Sequence, residues 1–295
     1  QLITGIANTY YTLLMLDEQL DLSRQTETAW KETVASTRAL MNAGLANESA
    51  VSQMEAAYYQ VQSSVLDLQQ QISQVENSLA LLLAETPRNY ERGMLAKQQF
   101  PTDLSIGIPV RMLSSRPDVR SAERTLEAAF YGTNAARSAF YPSITLSGSA
   151  GWTNSAGSLI LNPGKFLASA VGSLTQPLFN KGQVVAQYRI ARAQQEEAAL
   201  GFQQTLLNAG SEVNDALIAY QTSKGKRLLL DKQIASLQTA LQSTSLLMEH
   251  GNTTYLEVLT ARQSLLSAQL SQTANHFTEI QSLINLYRAL GGGQE

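Results

Sequence analysis

Side chains able to do chemistry gather at two places in this chain of 295 residues. One is the run Arg116-Pro117-Asp118-Val119-Arg120, with Glu123 and Arg124 behind it. Arg116, Arg120, Glu123 and Arg124 stand at spacings that let side chains pair along a helix. Pro117 suits the first helical position, and Asp118 the first turn, where the helix dipole favours an anion. A catalytic or anion site would need partner groups that the sequence does not supply, so the run reads as a structural junction. The other place is the short turn at residues 250–254, followed by Tyr255, Glu257, Thr260 and Arg262. Glu257 falls in the first turn of the next helix, where an acid compensates the dipole. Tyr255 either plugs an apolar gap or staples the turn.

Nothing beyond these supports catalysis, and no enzyme is expected. There is no glycine-rich phosphate loop and no nucleophile–base–acid set. The two histidines, His250 and His276, lie far from any acidic cluster, and cysteine is absent. That excludes an internal disulfide and cysteine-ligated zinc or iron–sulfur sites, so no metal and no cofactor is expected. A net charge of −3 argues against nucleic acid as a partner.

The elements that must position these groups are long helices. Residues 51–82 place apolar or aromatic side chains at Val51, Met54, Tyr58, Val61, Val65, Leu68, Ile72, Val75, Leu79 and Leu82, in spacings of 3 and 4 throughout. Such a heptad pattern implies supercoiling against a partner helix. Residues 259–287 repeat it with Leu259, Leu266, Leu270, Phe277, Ile280, Ile284 and Tyr287. Beside that stripe runs a smaller one, Val258, Ala261, Leu265, Ala268, Gln272 and Asn275, which is either a second contact face or a lumen face. No proline interrupts residues 182–248. A continuous helix there would be on the order of 100 Å long, more than a compact domain needs and suited to a conduit across a wide gap. Charged residues are only 15 %, which suits helices facing one another or a water-filled lumen.

Between the helices lie two alternating segments. Ile144, Leu146, Gly148, Ala150 and Trp152 share one face, and Thr145, Ser147, Ser149, Gly151 and Thr153 the other. In the second segment Phe166, Ala168, Ala170, Gly172 and Leu174 fall together, with Ser169, Ser173 and Thr175 opposite. A strand of about ten residues, tilted by roughly 45°, spans a bilayer, and aromatic side chains mark its interfaces. Tyr141, Trp152, Phe166 and Phe179 are the candidates for that belt. Pro142 and Pro177 stand at strand ends, where a missing N–H costs least. A soluble hairpin with one dry face is the alternative.

The helical hairpins repeat at an offset of 207 residues without a gap. Ile6 matches Val213, Ser36-Thr37 matches Ser243-Thr244, Met41 matches Met248, Gly44 matches Gly251, Val51 matches Val258 and Leu79 matches Leu286. Each glycine falls in the turn between two helices, where it permits a left-handed C-cap. Asn47 or Ser49, and Thr253 or Thr254, would cap the helices that follow. Repeats of this length suggest duplication. The first unit lacks the lead-in helix and strands of the second, so on the order of a hundred further residues are expected ahead of residue 1.

Four stretches now converge: IGIPVRMLSSRPDVRSAERTLEAA (106–129), ARSAFYPSITLSGSAGW (136–152), LTQPLFNKGQ (174–183) and MEHGNTTYLEVLTARQSLLSAQ (248–269). Together they resemble the TolC-like outer-membrane efflux proteins, in the branch of lipoprotein outer-membrane factors of RND-type pumps. The resemblance covers essentially the whole chain. It implies a mainly α protein with a β-hairpin. Long coiled-coil hairpins would form a periplasmic α-barrel, and the strands would join a trimeric twelve-stranded outer-membrane β-barrel. It implies a homotrimer in outer-membrane lipid, working with a periplasmic adaptor and an inner-membrane RND transporter. It also implies a passive exit duct opened at the helical tips, around Gly44 and Gly251. Threefold symmetry would make Glu257 a ring of carboxylates, with Tyr255, Thr260 and Arg262 around it. The family commonly has a second acid where this chain has Thr260. Arg262 could pair with Glu257 or with a neighbouring copy. The expected division is a first hairpin at 1–85, a linker at 86–116, a lead-in helix at 117–139, a β-hairpin at 140–179 with its loop at 154–165, a second hairpin at 180–290 and a tail at 291–295. The same duct serving type I protein secretion, and a soluble coiled-coil scaffold, are the rival readings.

Overall fold

A computed structural model describes residues 2–88, 90–98, 114–152, 166–176, 179–249 and 255–292. The elements are α1 (Leu2–Asn42), α2 (Glu48–Leu83), a 3-10 turn (Leu95–Lys97), α3 (Pro117–Ser138), β1 (Ser143–Trp152), β2 (Phe166–Thr175), α4 (Gln183–Glu249) and α5 (Tyr255–Ala289). They fall into two compact units, Gln1–Ser115 with Ala209–Glu295, and Arg116–Asn208.

In the first unit the heptad stripe of α2 finds its partner in α1. Leu13, Leu16 and Leu20 pack on Val65, Ile72 and Leu79, with Ile6 and Val75 at the margins. Burying each such side chain is worth about 1.5–3 kcal/mol, which outweighs the modest helix propensity of the β-branched residues. The helices part at Gly44, whose φ of 73° an L side chain rarely adopts. There Leu45 N–H donates to Leu40 O at 2.9 Å and Gly44 N–H to Met41 O at 3.0 Å, the paired bonds that close a helix C-terminus. Asn47 starts α2, its Oδ1 accepting from Ala50 N–H at 2.8 Å.

The repeat is visible in the packing. Ile6 and Leu79 meet in the first hairpin. Their counterparts Val213 and Leu286 meet in the second. The two stripes of α5 do different work. The bulky one faces the first hairpin: Leu259 and Leu266 lie against Trp30, Met54, Ala57 and Val61, while Ile280 and Ile284 lie with Leu14 and Leu95. The small stripe is a contact face at its polar end, towards α4. Asn275 Nδ2–H donates to Ser223 O at 2.8 Å, and Gln272 donates to the Asp231 carboxylate. Tyr287 departs from the pattern and is exposed.

The segment after α2 ties three helices together. Arg92 bridges Asp17 of α1 and Glu76 of α2, each at 2.8 Å. Leu95, 1 % exposed, wedges between Leu14 and Ile280. Gly93 N–H donates to Tyr10 Oη at 3.3 Å. Along α1 the hydroxyls of Thr9, Thr12, Thr26, Thr28, Thr33 and Thr37 each donate to the carbonyl four residues earlier. These hydroxyls find partners within the helix.

In the second unit Arg116 and Asp118 form a forked pair, Nε to Oδ1 at 3.0 Å and Nη2 to Oδ2 at 2.7 Å. Asp118 Oδ1 also accepts from Val119 N–H at 2.9 Å. Chiefly that arginine holds the carboxyl below the usual carboxylate range. Arg116 precedes a helix with Pro117 in its first turn. Strands β1 and β2 pair antiparallel from Ser143↔Thr175 to Trp152↔Phe166. Thr133 Oγ1–H donates to Ala191 O at 3.1 Å, and Phe140 meets Tyr188 edge-on at 5.9 Å, so α3 lies against the start of α4.

Candidate functional site

Two places carry the arrangement: the strand pair and the helical tips. In the strand pair the register brings Ile144 opposite Leu174, Leu146 opposite Gly172, Gly148 opposite Ala170 and Ala150 opposite Ala168. The two apolar faces read from sequence are therefore one face. The other face pairs Thr145 with Ser173 and Ser149 with Ser169, whose hydroxyls meet at 2.8 Å. Val171, opposite Ser147, and Leu167, opposite Gly151, are the departures from that polar run. Neither face is covered: Ile144 is 74 % and Leu146 84 % exposed. Neither strand contains a charged residue. Both outer strand edges are unpaired among the described residues.

Of the aromatic residues expected in the belt, Tyr141 and Phe179 are exposed. Trp152 and Phe166 face each other in the register; their side chains, like Pro177, lie outside the described residues. No helix of the described residues is long and apolar enough to cross a membrane.

At the tips, Glu257 and Thr260 are exposed. Glu257 sits in the first turn of α5. Thr260 Oγ1–H is turned back onto Leu256 O at 2.8 Å. Gly44 takes the left-handed cap, while Gly251, Thr253 and Thr254 lie outside the described residues. Tyr255 packs on the Trp30 and Met54 cluster of the first hairpin, an apolar contact between hairpins.

Arg262 meets a ring in this chain. Its guanidinium lies over the Trp30 ring, 5.4 Å from the centroid, and within this chain it makes no pair with Glu257. Burial pushes its pKa below the ordinary arginine value, with the Glu32 charge partly opposing. Beside Trp30 runs a groove of ≈ 500 Å³ between α2 and α5, floored by that ring and lined by uncharged side chains such as Ala57, Ser64 and Leu270.

Trp30, Arg92 and Leu95 were not singled out from the sequence. A signal for Trp30 existed: Leu13, Leu16, Leu20, Ser23, Trp30 and Thr37 are all buried at heptad spacing. Arg92 and Leu95 lie in a segment with no periodicity to read. No cluster of histidine or carboxylate side chains among the described residues could hold a metal ion.

An uncharged strand pair with one dry and one hydroxyl face, and coiled-coil hairpins docked at their tips, is an architecture with known counterparts. Residues 1–85 and 108–292 match the family described as outer membrane efflux protein. The chain belongs to that family. Among curated members, the cation efflux system protein CusC of Escherichia coli is 29 % identical over 293 residues, covering 99 % of this chain and 64 % of that protein. The toluene efflux pump outer membrane protein TtgI of Pseudomonas putida is 32 % identical over 302 residues, covering 99 % and 62 %. The chain thus spans somewhat under two thirds of the length of these family members. Among solved structures, the outer-membrane channel OprN superposes with a TM-score of 0.92 at 27 % identity, over 99 % of this chain and 66 % of that one.

Proposed function

We propose that this chain supplies half the strands and most of the long helices of an outer-membrane exit duct, serving a tripartite RND-type efflux system. The observation that carries the reading is the strand pair. Its register sorts apolar residues to one face and hydroxyls to the other, and both are bare in the single chain. A dry face of small aliphatic residues suits lipid, and an uncharged hydroxyl face suits a water-filled lumen. Two strands with open edges cannot persist in hydrocarbon, because each unpaired backbone group would go unsatisfied. Closure with further strands and further copies answers that need: a homotrimer in which each copy adds two more strands to this pair makes a shared twelve-stranded barrel. The helical hairpins would extend into the periplasm and meet an adaptor at their tips, with energy supplied by an inner-membrane transporter. The cargoes in the family members' names, cations and toluene, differ in charge, as expected of a passive duct whose selectivity lies in its transporter.

In this reading Glu257 of three copies forms a ring at the mouth, where carboxylates favour cations and gate by repulsion or pairing. The test of the duct is the mass of the whole protein in detergent, by light scattering with the detergent subtracted. A trimer is expected; a monomer soluble without detergent would sink the duct. Glu257→Ala is expected to raise leak conductance several-fold in planar bilayers, and unchanged conductance would remove Glu257 from the gate.

A further inference from the structure

We infer that Trp30 and Arg262 form a clasp that registers the second hairpin on the first, and that the clasp is built to yield. The inference rests on the duct reading and names a device within its tips. Three observations carry it.

The first is placement. Trp30 is 1 % exposed and sits with Met54, Ala57 and Val61 in the first hairpin, while Tyr255, Leu259 and Leu266 of α5 close over the same cluster. Arg262 lays its charge on that ring at 5.4 Å, within the range of a cation–π attraction.

The second is what Arg262 lacks. Its Nε and Nη1 are covered and have no hydrogen-bond partner among the described residues of this chain. A guanidinium normally spends its planar fork on a carboxylate. Here the carboxylate whose charge it feels, Glu32, makes no bond to those two atoms. Donors stripped of water without an acceptor oppose the contact that buries them. The ring attracts Arg262 while its own unpaired donors push it out.

The third is the repeat. At the offset of 207 the counterpart of Arg262 is Glu55, which pairs with Arg38 inside the first hairpin. The counterpart of Arg38 is Ser245, and that of Trp30 is Leu237. The second hairpin therefore has no ion pair of its own at this level. The same repeat position closes one hairpin internally and docks the other onto its neighbour.

The test uses the whole protein in lipid nanodiscs. This chain contains no cysteine, so spin labels can be placed at the exposed tips with Ser49→Cys and Leu256→Cys. Trp30→Leu keeps an apolar side chain, though a smaller one, and removes the aromatic face. The population with separated tips should rise about tenfold, the weight of a partly desolvated cation–π contact. Arg262→Met keeps the apolar stem and deletes the unpaired donors. Its separated population should fall below that of the parent protein, and its leak conductance with it. If Trp30→Leu leaves the distances unchanged, or Arg262→Met separates the tips, the clasp is wrong. Circular dichroism checks folding. Should Trp30→Leu unfold, Trp30→Phe, a weaker ring in the same space, must move the distances in the same direction. The distances are read without ion flow. A protein that conducts nothing would therefore end the duct reading, while the labels alone decide the clasp.

Discussion

Leu95→Ala should release the segment after α2 while leaving the hairpins folded. Leu95 lies between Leu14 and Ile280, each 1 % exposed, with Tyr10, Tyr11 and Ile284 around them. Truncation removes three carbons, or about 2.4 kcal/mol at roughly 0.8 kcal/mol per buried methylene. The void left between two long helices adds to this, so about 3 kcal/mol is expected. The cost falls on local opening, because the described residues between 86 and 98 carry no regular structure beyond one 3-10 turn. Trypsin reads that opening directly, since Arg92 and Lys97 lie inside the segment. With opening fast relative to cleavage, the rate follows the open population, and about 3 kcal/mol becomes a rise of roughly a hundredfold. Leu81→Ala is the control, at a site 82 % exposed on α2. Unchanged cleavage after Lys97 would refute the wedge. Equal acceleration after Arg227 and Lys232 of α4 would refute the claim that the opening is local.

Three further outcomes follow from the same contacts. Asp17 has its pKa raised by burial, with Asp21 and Glu76 adding to it and Arg92 opposing. A raised carboxylate stabilises below its unfolded pKa and loses that contribution as pH rises through the folded value. Arg92→Met should therefore lower Tm most near neutrality, with the deficit shrinking on acidification to just above the ordinary carboxylate range; a pH-independent deficit would count against the bridge. His276 has its pKa lowered by burial and by Arg227, against Glu279 and Glu18. Its stabilisation is present above the unfolded value near 6.5 and is lost as pH falls. His276→Gln should flatten the fall of Tm between roughly pH 7 and 5, and an unaltered slope would contradict this. Gly44→Ala meets no atom within 4 Å but must hold φ near 73°. It should cost about 1 kcal/mol from backbone strain, read as a Tm drop, and a neutral substitution would show that the turn relaxes.

Much of the fold was legible because it is local or repeated. The 3–4 spacing from Val51 to Leu79 names the buried face of α2, and Pro117 marks the start of α3. Alternation from Ile144 fixes a strand face, and sharing that face with Leu174 excludes registers slipped by one residue. The matched pairs Ile6 with Leu79 and Val213 with Leu286 do the same job in both hairpins. What stayed hidden is which face of α5 meets which neighbour. Its two stripes lie one residue apart, and the spacing alone does not say that Leu259 faces Trp30 while Asn275 faces Ser223. Arg262 offers a charge that a carboxylate or an aromatic ring can take, and sequence suggested the carboxylate where the structure supplies the ring. Leu95 was invisible because a single wedge in an aperiodic segment has no pattern.

The contrast between Glu55 and Arg262 bears on how a duplicated chain avoids mis-pairing as it folds. Two hairpins alike enough to align without a gap could exchange helices, with α5 taking the place of α2 against α1. In the native pairing Arg38 faces Glu55. In the exchanged one it would face Arg262, cation against cation, and Glu55 would be left opposite Ser245. One sign reversal between repeated sites thus tilts the choice of partner toward the native pairing, by the roughly 0.2–1 kcal/mol that an exposed ion pair carries.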